Sequence, residues 1–164
     1  LRNNDRTSLL GTIEFFPEEG KYHHDGHRAC GVCFSPAESK KHNNSCPVCH
    51  EPLTLGVLHR VHDLADRENP WYPDNAPARF HTIPLREILA DIFGVGCASK
   101  KVQKSYEDAI QSLGTELDIL LDIPIEFIEK FNVLLASRIH AMRQGYVCRK
   151  AGYDGVYGTI RAHL

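Results

Sequence analysis

The sequence predicts an α+β protein: a small ribbon-like β module followed by a helical bundle and a terminal β-hairpin. Three observations carry this reading. Two Cys-x2-Cys pairs, Cys30-Gly-Val-Cys33 and Cys46-Pro-Val-Cys49, sit in a turn-rich stretch with β-branched and aromatic runs on either side. Residues 83–145 carry apolar stripes at helical spacing with few breakers, and beyond them two further β-type runs flank a glycine-rich turn. With 42% apolar and 24% charged residues, the chain has the apolar content to fold rather than stay disordered.

The first module is expected over residues 1–66. Gly11-Thr12-Ile13-Glu14-Phe15-Phe16 reads as a strand, and Leu53-Thr54-Leu55-Gly56-Val57-Leu58 as a second one after the Cys pairs. Residues 67–82 are expected as a proline-rich linker, because Pro70, Pro73 and Pro77 disfavour regular structure. The helical module is expected over 83–164. Leu85, Ile88, Leu89 and Ile92 mark a first helix, opened at Thr82 and Pro84 and closed by Gly94 and Gly96. A second runs from Ser99 to Gly114 with Val102, Tyr106, Ala109, Ile110 and Leu113 on its stripe. Leu117, Leu120 and Leu121 make a short turn halted by Pro124. Ile125, Ile128 and Phe131, then Leu135, Ile139 and Met142, predict two more helices broken near Asn132. Tyr146-Val147-Cys148-Arg149 and Val156-Tyr157-Gly158-Thr159-Ile160 predict the closing hairpin.

The Cys pairs are the sharpest chemical signal. Each can turn two thiolates toward one point, and four sulfur donors with no spare vertex describe a structural zinc site, here Cys30, Cys33, Cys46 and Cys49. His27 is an alternative fourth ligand, since His27-Arg28-Ala29-Cys30 has ligand spacing and is followed by Gly31. A module of this size buries little apolar surface, whereas structural zinc supplies roughly 10–16 kcal/mol of binding energy that becomes folding energy. Cys97 and Cys148 fit no spacing and read as single thiols. No apolar signal core opens the chain, no disulfide framework is evident, and no run approaches the ~20 apolar residues of a membrane span. A reducing cytoplasm is the expected setting. The chain starts at Leu1 and its one methionine is Met142, so it reads as an excerpt of a longer polypeptide or a processed one.

Lys21-Tyr22-His23-His24-Asp25-Gly26-His27-Arg28 has three readings: an open catalytic metal site held by His23, His24, Asp25 or His27, a turn whose histidines brace the zinc or touch phosphate, or a loop that meets a neighbouring catalytic domain. The helices around Lys130 and Asn132 have the apolar spacing of a helix-hairpin-helix, a unit that offers backbone amides to DNA phosphates, and equally that of two packed helices. Lys100, Lys101 and Lys104 open a helix and are further phosphate candidates. Charge gives no strong pull toward nucleic acid: seven Lys/Arg face nine Asp/Glu over residues 1–66, and twelve face twelve over 67–164. DNA contact therefore rests on a local patch or a partner domain.

Gly11-Thr12-Ile13-Glu14-Phe15-Phe16-Pro17, Gly20-Lys21-Tyr22-His23, Asp25-Gly26-His27-Arg28-x-Cys30-Gly31-Val32, Cys46-Pro47-Val48-Cys49 and Gly56-Val57-Leu58-His59-Arg60-Val61 resemble the zinc-binding region of the endonuclease Q family. That family comprises PHP-domain proteins, some labelled UvrD-type helicases. The resemblance continues through Ile83-Pro84-Leu85-Arg86-Glu87-Ile88, Lys100-Lys101-Val102-Gln103 and Gly152-Tyr153-Asp154-Gly155-Val156-Tyr157-Gly158. His50 stands where the family is expected to carry glycine, and no phosphate loop of the Gly-x4-Gly-Lys-Ser/Thr type supports the helicase label. The resemblance implies a DNA-repair nuclease that nicks beside deaminated bases such as uracil and hypoxanthine. It implies catalytic metal ligands in a PHP domain, so no catalytic residue is expected in this chain. The implied partners are that domain and damaged DNA; the DNA contacts expected from the residues themselves are Lys21, His23, His24, His27, Arg28, Lys100, Lys101 and Lys104. The competing expectation is a protein-interaction module that docks on a catalytic domain without touching nucleic acid.

Overall fold

The computed structural model describes residues 9–74 and 76–163; the first eight residues of the expected first module, Asn75 in the expected linker and Leu164 lie outside them. The architecture is α+β, as predicted, and the chain divides into two compact units. Unit 1 comprises Leu1–Phe16, Pro77–Cys148 and Arg161–Leu164; unit 2 comprises Pro17–Ala76 and Arg149–Ile160.

Unit 1 is built on helices. Strand β1 (Gly11–Glu14) pairs in parallel with β4 (Ala78–His81), which falls inside the segment expected to be linker. The prolines end at Pro77, and Arg79-Phe80-His81 is free to extend. Helix α3 (Leu85–Phe93) starts after Pro84 and closes on Gly94, whose φ of 63° is left-handed. Helix α4 (Lys100–Leu113) is capped by Ser99, whose hydroxyl accepts from the Val102 N–H at 3.3 Å. The leucine-rich turn is a π-helix, Asp118–Asp122. Helices α5 (Ile125–Phe131) and α6 (Val133–Arg143) meet at Asn132, which serves as C-cap of one and N-cap of the other; its Oδ1 accepts from Leu135 N at 2.9 Å. Of the expected stripe residues, Leu85, Leu89, Val102, Ile128, Leu135 and Ile139 are fully buried; in the leucine-rich turn Leu120 is buried beside Ile119, which the stripe did not include, while the expected Leu117 is 49% exposed.

Arg143 locks this bundle. Its guanidinium donates to the carbonyls of Ile119, Leu120 and Ile123 at 2.7–2.9 Å, satisfying the oxygens that the end of the π-helix leaves without partners.

Unit 2 has far less apolar core. Strand β2 (Asp25–His27) pairs antiparallel with β3 (Val32–Phe34), and Val32, Cys46 and Leu53 form the buried cluster with Cys30 and Phe34 packed against it. Two helices here were not expected. Helix α1 (Pro36–Lys41) occupies the loop between the Cys pairs and opens with a capping box in which the Ser35 and Glu38 side chains bond each other's backbone N–H. Helix α2 (Val57–Leu64) takes the last two residues of the strand expected over Leu53–Leu58, and of the other four only Thr54 keeps a strand-like bridge, to Gly26. Gly56 decides the change: its N–H bonds Asp25 Oδ1 at 2.7 Å, and a Cβ there would lie 2.4 Å from His23 O, so the chain turns and starts a helix.

The closing hairpin has strands β5 (Val147–Lys150) and β6 (Thr159–Ala162), which form a two-stranded sheet. The second strand lies a few residues later than expected. Val156 instead pairs with Tyr153 across a tight turn in which Asp154 and Gly155 both have positive φ.

Candidate metal centre and nucleic-acid contacts

Four donors converge in unit 2: His27, Cys30, Cys46 and Cys49, with ligand atoms all within 4.8 Å of one another. Cys49 Sγ lies 3.3 Å from His27 Nδ1. Of the four cysteines expected as ligands, three are brought together. Cys33 is not: it points to the other side of β3, with its Sγ 3.8 Å from His24 Nδ1. His27 holds the fourth place.

Backbone geometry explains the exchange. Residues 27–30 and 46–49 are two copies of one device, a ligand, two residues, a ligand, and then a left-handed residue. Gly31 has φ 67° and His50 has φ 63°. Each left-handed residue folds the chain back, with Gly31 N bonded to Arg28 O at 3.1 Å and His50 N to Cys46 O at 2.9 Å. Cys30 is therefore the second ligand of its knuckle rather than the first. In a β-strand alternate residues face opposite sides, so Cys33 in β3 faces away from the buried Val32. The signal was Gly31, placed directly after Cys30.

The donors fit a tetrahedral ion. Arms of about 2.0–2.3 Å place tetrahedral ligands about 3.5–3.8 Å apart, compatible with the spread found. Cys46 is fully buried at the back of the group while Cys49 is exposed at its rim. Burial opposes ionisation of Cys46, but the N–H groups of Cys49 and Val48, with the His27 and Cys49 side chains, outweigh it and bring the thiol down to about 6. Cys30 is pushed up to about 11 by its hydrogen bond with Cys49, by burial and by Cys46. A cation in their midst would favour all three thiolates together.

The surrounding residues hold the knuckle. Asp154 accepts from the Arg28 N–H at 2.6 Å and from Thr54 Oγ1 at 2.7 Å, and these bonds, the Arg28 one foremost, hold its carboxyl below the usual range. Asp25 is turned into the interior, where Gly56 N and His59 Nδ1, the latter at 2.6 Å, bond its two oxygens. It therefore does not join His23, His24 and His27 in a second site. Among the described residues, the His27, Cys30, Cys46 and Cys49 group is the one convergence of metal donors found. No sequence spacing pointed to the buried Asp25–His59 pair, whose members lie 34 residues apart.

The other candidates are scattered. His23 and His24 stack, with ring centroids 5.2 Å apart, and burial foremost, then His24, lowers the pKa of His23. Lys21 and Arg28 are exposed in the same unit. Lys100, Lys101 and Lys104 are exposed on the first turns of α4, where Lys101 Nζ sits 4.3 Å above the Phe93 ring. At the α5–α6 hairpin, Phe127, Val133 and Leu134 are exposed and Lys130 lies over Phe127.

Residues 84–146 match the family described as the MJ0043 C-terminal domain. The uncharacterized protein MJ0043 of Methanocaldococcus jannaschii is 33% identical over 152 residues, which cover 93% of this chain and 19% of that protein. The crystal structure of the lesion-specific endonuclease PfuEndoQ from Pyrococcus furiosus superposes with a TM-score of 0.81 at 30% identity, over 93% of this chain and 38% of that one. Endonuclease Q in complex with a 27-mer duplex substrate carrying an abasic lesion gives 0.79 at 29% identity, over 94% and 38%. The chain thus spans about a fifth of the curated relative and well under half of each solved chain. The resemblance to endonuclease Q carried by the sequence motifs extends through the fold of nearly the whole chain. Among the described residues no helix is long and apolar enough to cross a membrane.

Proposed function

We propose that this chain is the zinc-containing, non-catalytic, DNA-gripping region of an endonuclease-Q-like repair nuclease that nicks DNA at deaminated bases, with a PHP-type catalytic domain in the same polypeptide. The observation that carries the reading is the likeness, over 94% of this chain, to endonuclease Q held in a complex with duplex DNA. Three thiolates and one imidazole suit zinc, and four protein donors leave no vertex for a reactive water, so the ion's role is to fold and stiffen. In this reading His27 serves the metal. Lys21 and Arg28 supply charge in the same unit, with His23 and His24 as hydrogen-bonding partners, and Lys100, Lys101 and Lys104 add charge to the positive end of α4.

The test is direct. The purified chain should carry about one zinc per chain, bind duplex DNA more weakly as salt rises, and leave the DNA uncut. Changing Lys100, Lys101 and Lys104 together to glutamine should lower the salt slope by up to about 0.9 for each phosphate that a lysine had neutralised. A chain without zinc, or without DNA affinity at low salt, would defeat the proposal.

One observation favours docking on a protein instead. Val57, Val61 and Leu64 form a stripe on α2 and are 64%, 56% and 65% exposed. Affinity for an endonuclease Q catalytic domain, with none for DNA, would select that reading.

A further inference from the structure

In unit 2 one cation lies over two aromatic rings. Lys21 Nζ is 5.6 Å from the ring centre of Tyr22 and 5.7 Å from that of Tyr157. The rings come from segments 135 residues apart, and they are exposed, Tyr22 by 46% and Tyr157 by 71%. Large exposed aromatics carry an apolar cost that burial would normally remove, and here the two stand out with a charge between them.

The mounting is rigid. Gly152 N bonds Glu18 O at 2.8 Å, Gly158 N bonds Glu19 O at 3.0 Å, Gly155 N bonds Lys21 O at 2.9 Å, and His24 N bonds Gly152 O at 2.9 Å. Glycine is required for this seam. A Cβ on Gly158 would come within 2.0 Å of Glu18 O, and one on Gly152 within 2.5 Å of Gly20 O. Gly155 adopts φ 83°, which carries the turn back toward Lys21. The tyrosines thus stand on two strips of backbone sewn together, so their exposure is not that of a loose loop.

Resting on the DNA-gripping reading above, we propose that Tyr22, Lys21 and Tyr157 form a stacking site for unpaired nucleotides of a DNA strand. Lys21 would meet the phosphate between two bases, and each base would lie on a tyrosine face. Aromatic platforms interleaved with a cation are what single strands require, since every base offers a π-face and every linkage a charge. Paired bases are already stacked in the duplex and present only their edges, so the site selects strands whose bases are splayed out, as beside a lesion.

The test uses the full chain and a labelled thymidine strand, single or annealed to its complement, followed by anisotropy. Wild type should bind both. Tyr157→Ala and Tyr22→Ala should each weaken the single strand about tenfold, within the roughly 5- to 150-fold expected per stacked base, and leave the duplex unchanged; Tyr157→Phe should bind like wild type. Lys21→Gln should lower the salt slope for the single strand by about 0.7. If wild type binds both DNAs and the alanine variants bind the single strand equally well, the stacking site is overturned while the gripping role stands. If wild type binds neither, both fail. The high exposure of Tyr157 leaves little packing to lose, and an unchanged melting curve for Tyr157→Ala verifies that the loss is one of binding.

Discussion

His50 is a side chain in a glycine's conformation. Its φ of 63° is left-handed, which costs an L-residue about 1–2 kcal/mol, and it sits where the matching knuckle has Gly31. His50→Gly relieves that strain but gives the unfolded chain more freedom to lose, so a net gain of about 0.5–1 kcal/mol is expected in chemical denaturation of the metal-loaded chain. The ligand exchange is decided at the same scale. His27→Ala should cost zinc binding while Cys33→Ser should leave about one zinc bound per chain, as read by metal analysis. The opposite pattern would restore Cys33 to the site. Asp154 acts one step out: by holding the Arg28 N–H it fixes the two residues between His27 and Cys30. Asp154→Ala should therefore lower zinc affinity about tenfold or more in competition with a chromophoric chelator, with zinc stoichiometry unchanged at saturation.

Among elements, the helix ends explain which parts of the fold were legible beforehand. Helices α3 to α6 have long apolar stripes and clear stops at Gly94, Gly114 and Asn132, and each lies where the periodicity put it. The two missed helices are short, and their signals are caps rather than stripes: Ser35-Pro36-x-Glu38 for α1 and Gly56 for α2. In α2 the apolar positions Val57, Val61 and Leu64 do keep helical spacing, but preceding β-type residues masked it. Strand β4 was hidden because its pairing with β1 joins segments more than sixty residues apart, which no local pattern records. For the site, residue types and one knuckle were readable; that His27 rather than Cys33 completes the other depends on the φ of Gly31, which sequence shows only as a glycine. The π-helix yields a prediction of its own. Arg143 serves three carbonyls at once, so Arg143→Met, which keeps the stem and removes the donors, should destabilise unit 1 by about 2–3 kcal/mol in urea denaturation. A loss under about 0.5 kcal/mol would show that water replaces the guanidinium without penalty.

At the scale of the molecule, the two units are stabilised by different physics. Among the described residues, unit 1 buries seven large aliphatic side chains completely, Ile83, Leu85, Leu89, Ile119, Ile128, Leu135 and Ile139, and burial of each is worth about 1.5–3 kcal/mol. Among the described residues, the buried cluster of unit 2 is Val32, Cys46 and Leu53, and one of those three is itself a metal donor. A core so small cannot offset the entropy of ordering its chain, so the proposed zinc, at roughly 10–16 kcal/mol, has to supply most of that unit's stability. Chelation therefore separates the two. With a strong chelator in excess, the helical far-ultraviolet signal should persist in large part and melt in one late transition. Amides of β2, β3 and the 44–53 segment, by contrast, should lose their hydrogen-exchange protection. Returning zinc should restore them, whereas magnesium, a hard cation that prefers oxygen donors, should not. Protection retained at Cys46 and Leu53 after the metal has gone would mean that the small apolar cluster suffices, and the structural role assigned to the ion would have to be abandoned.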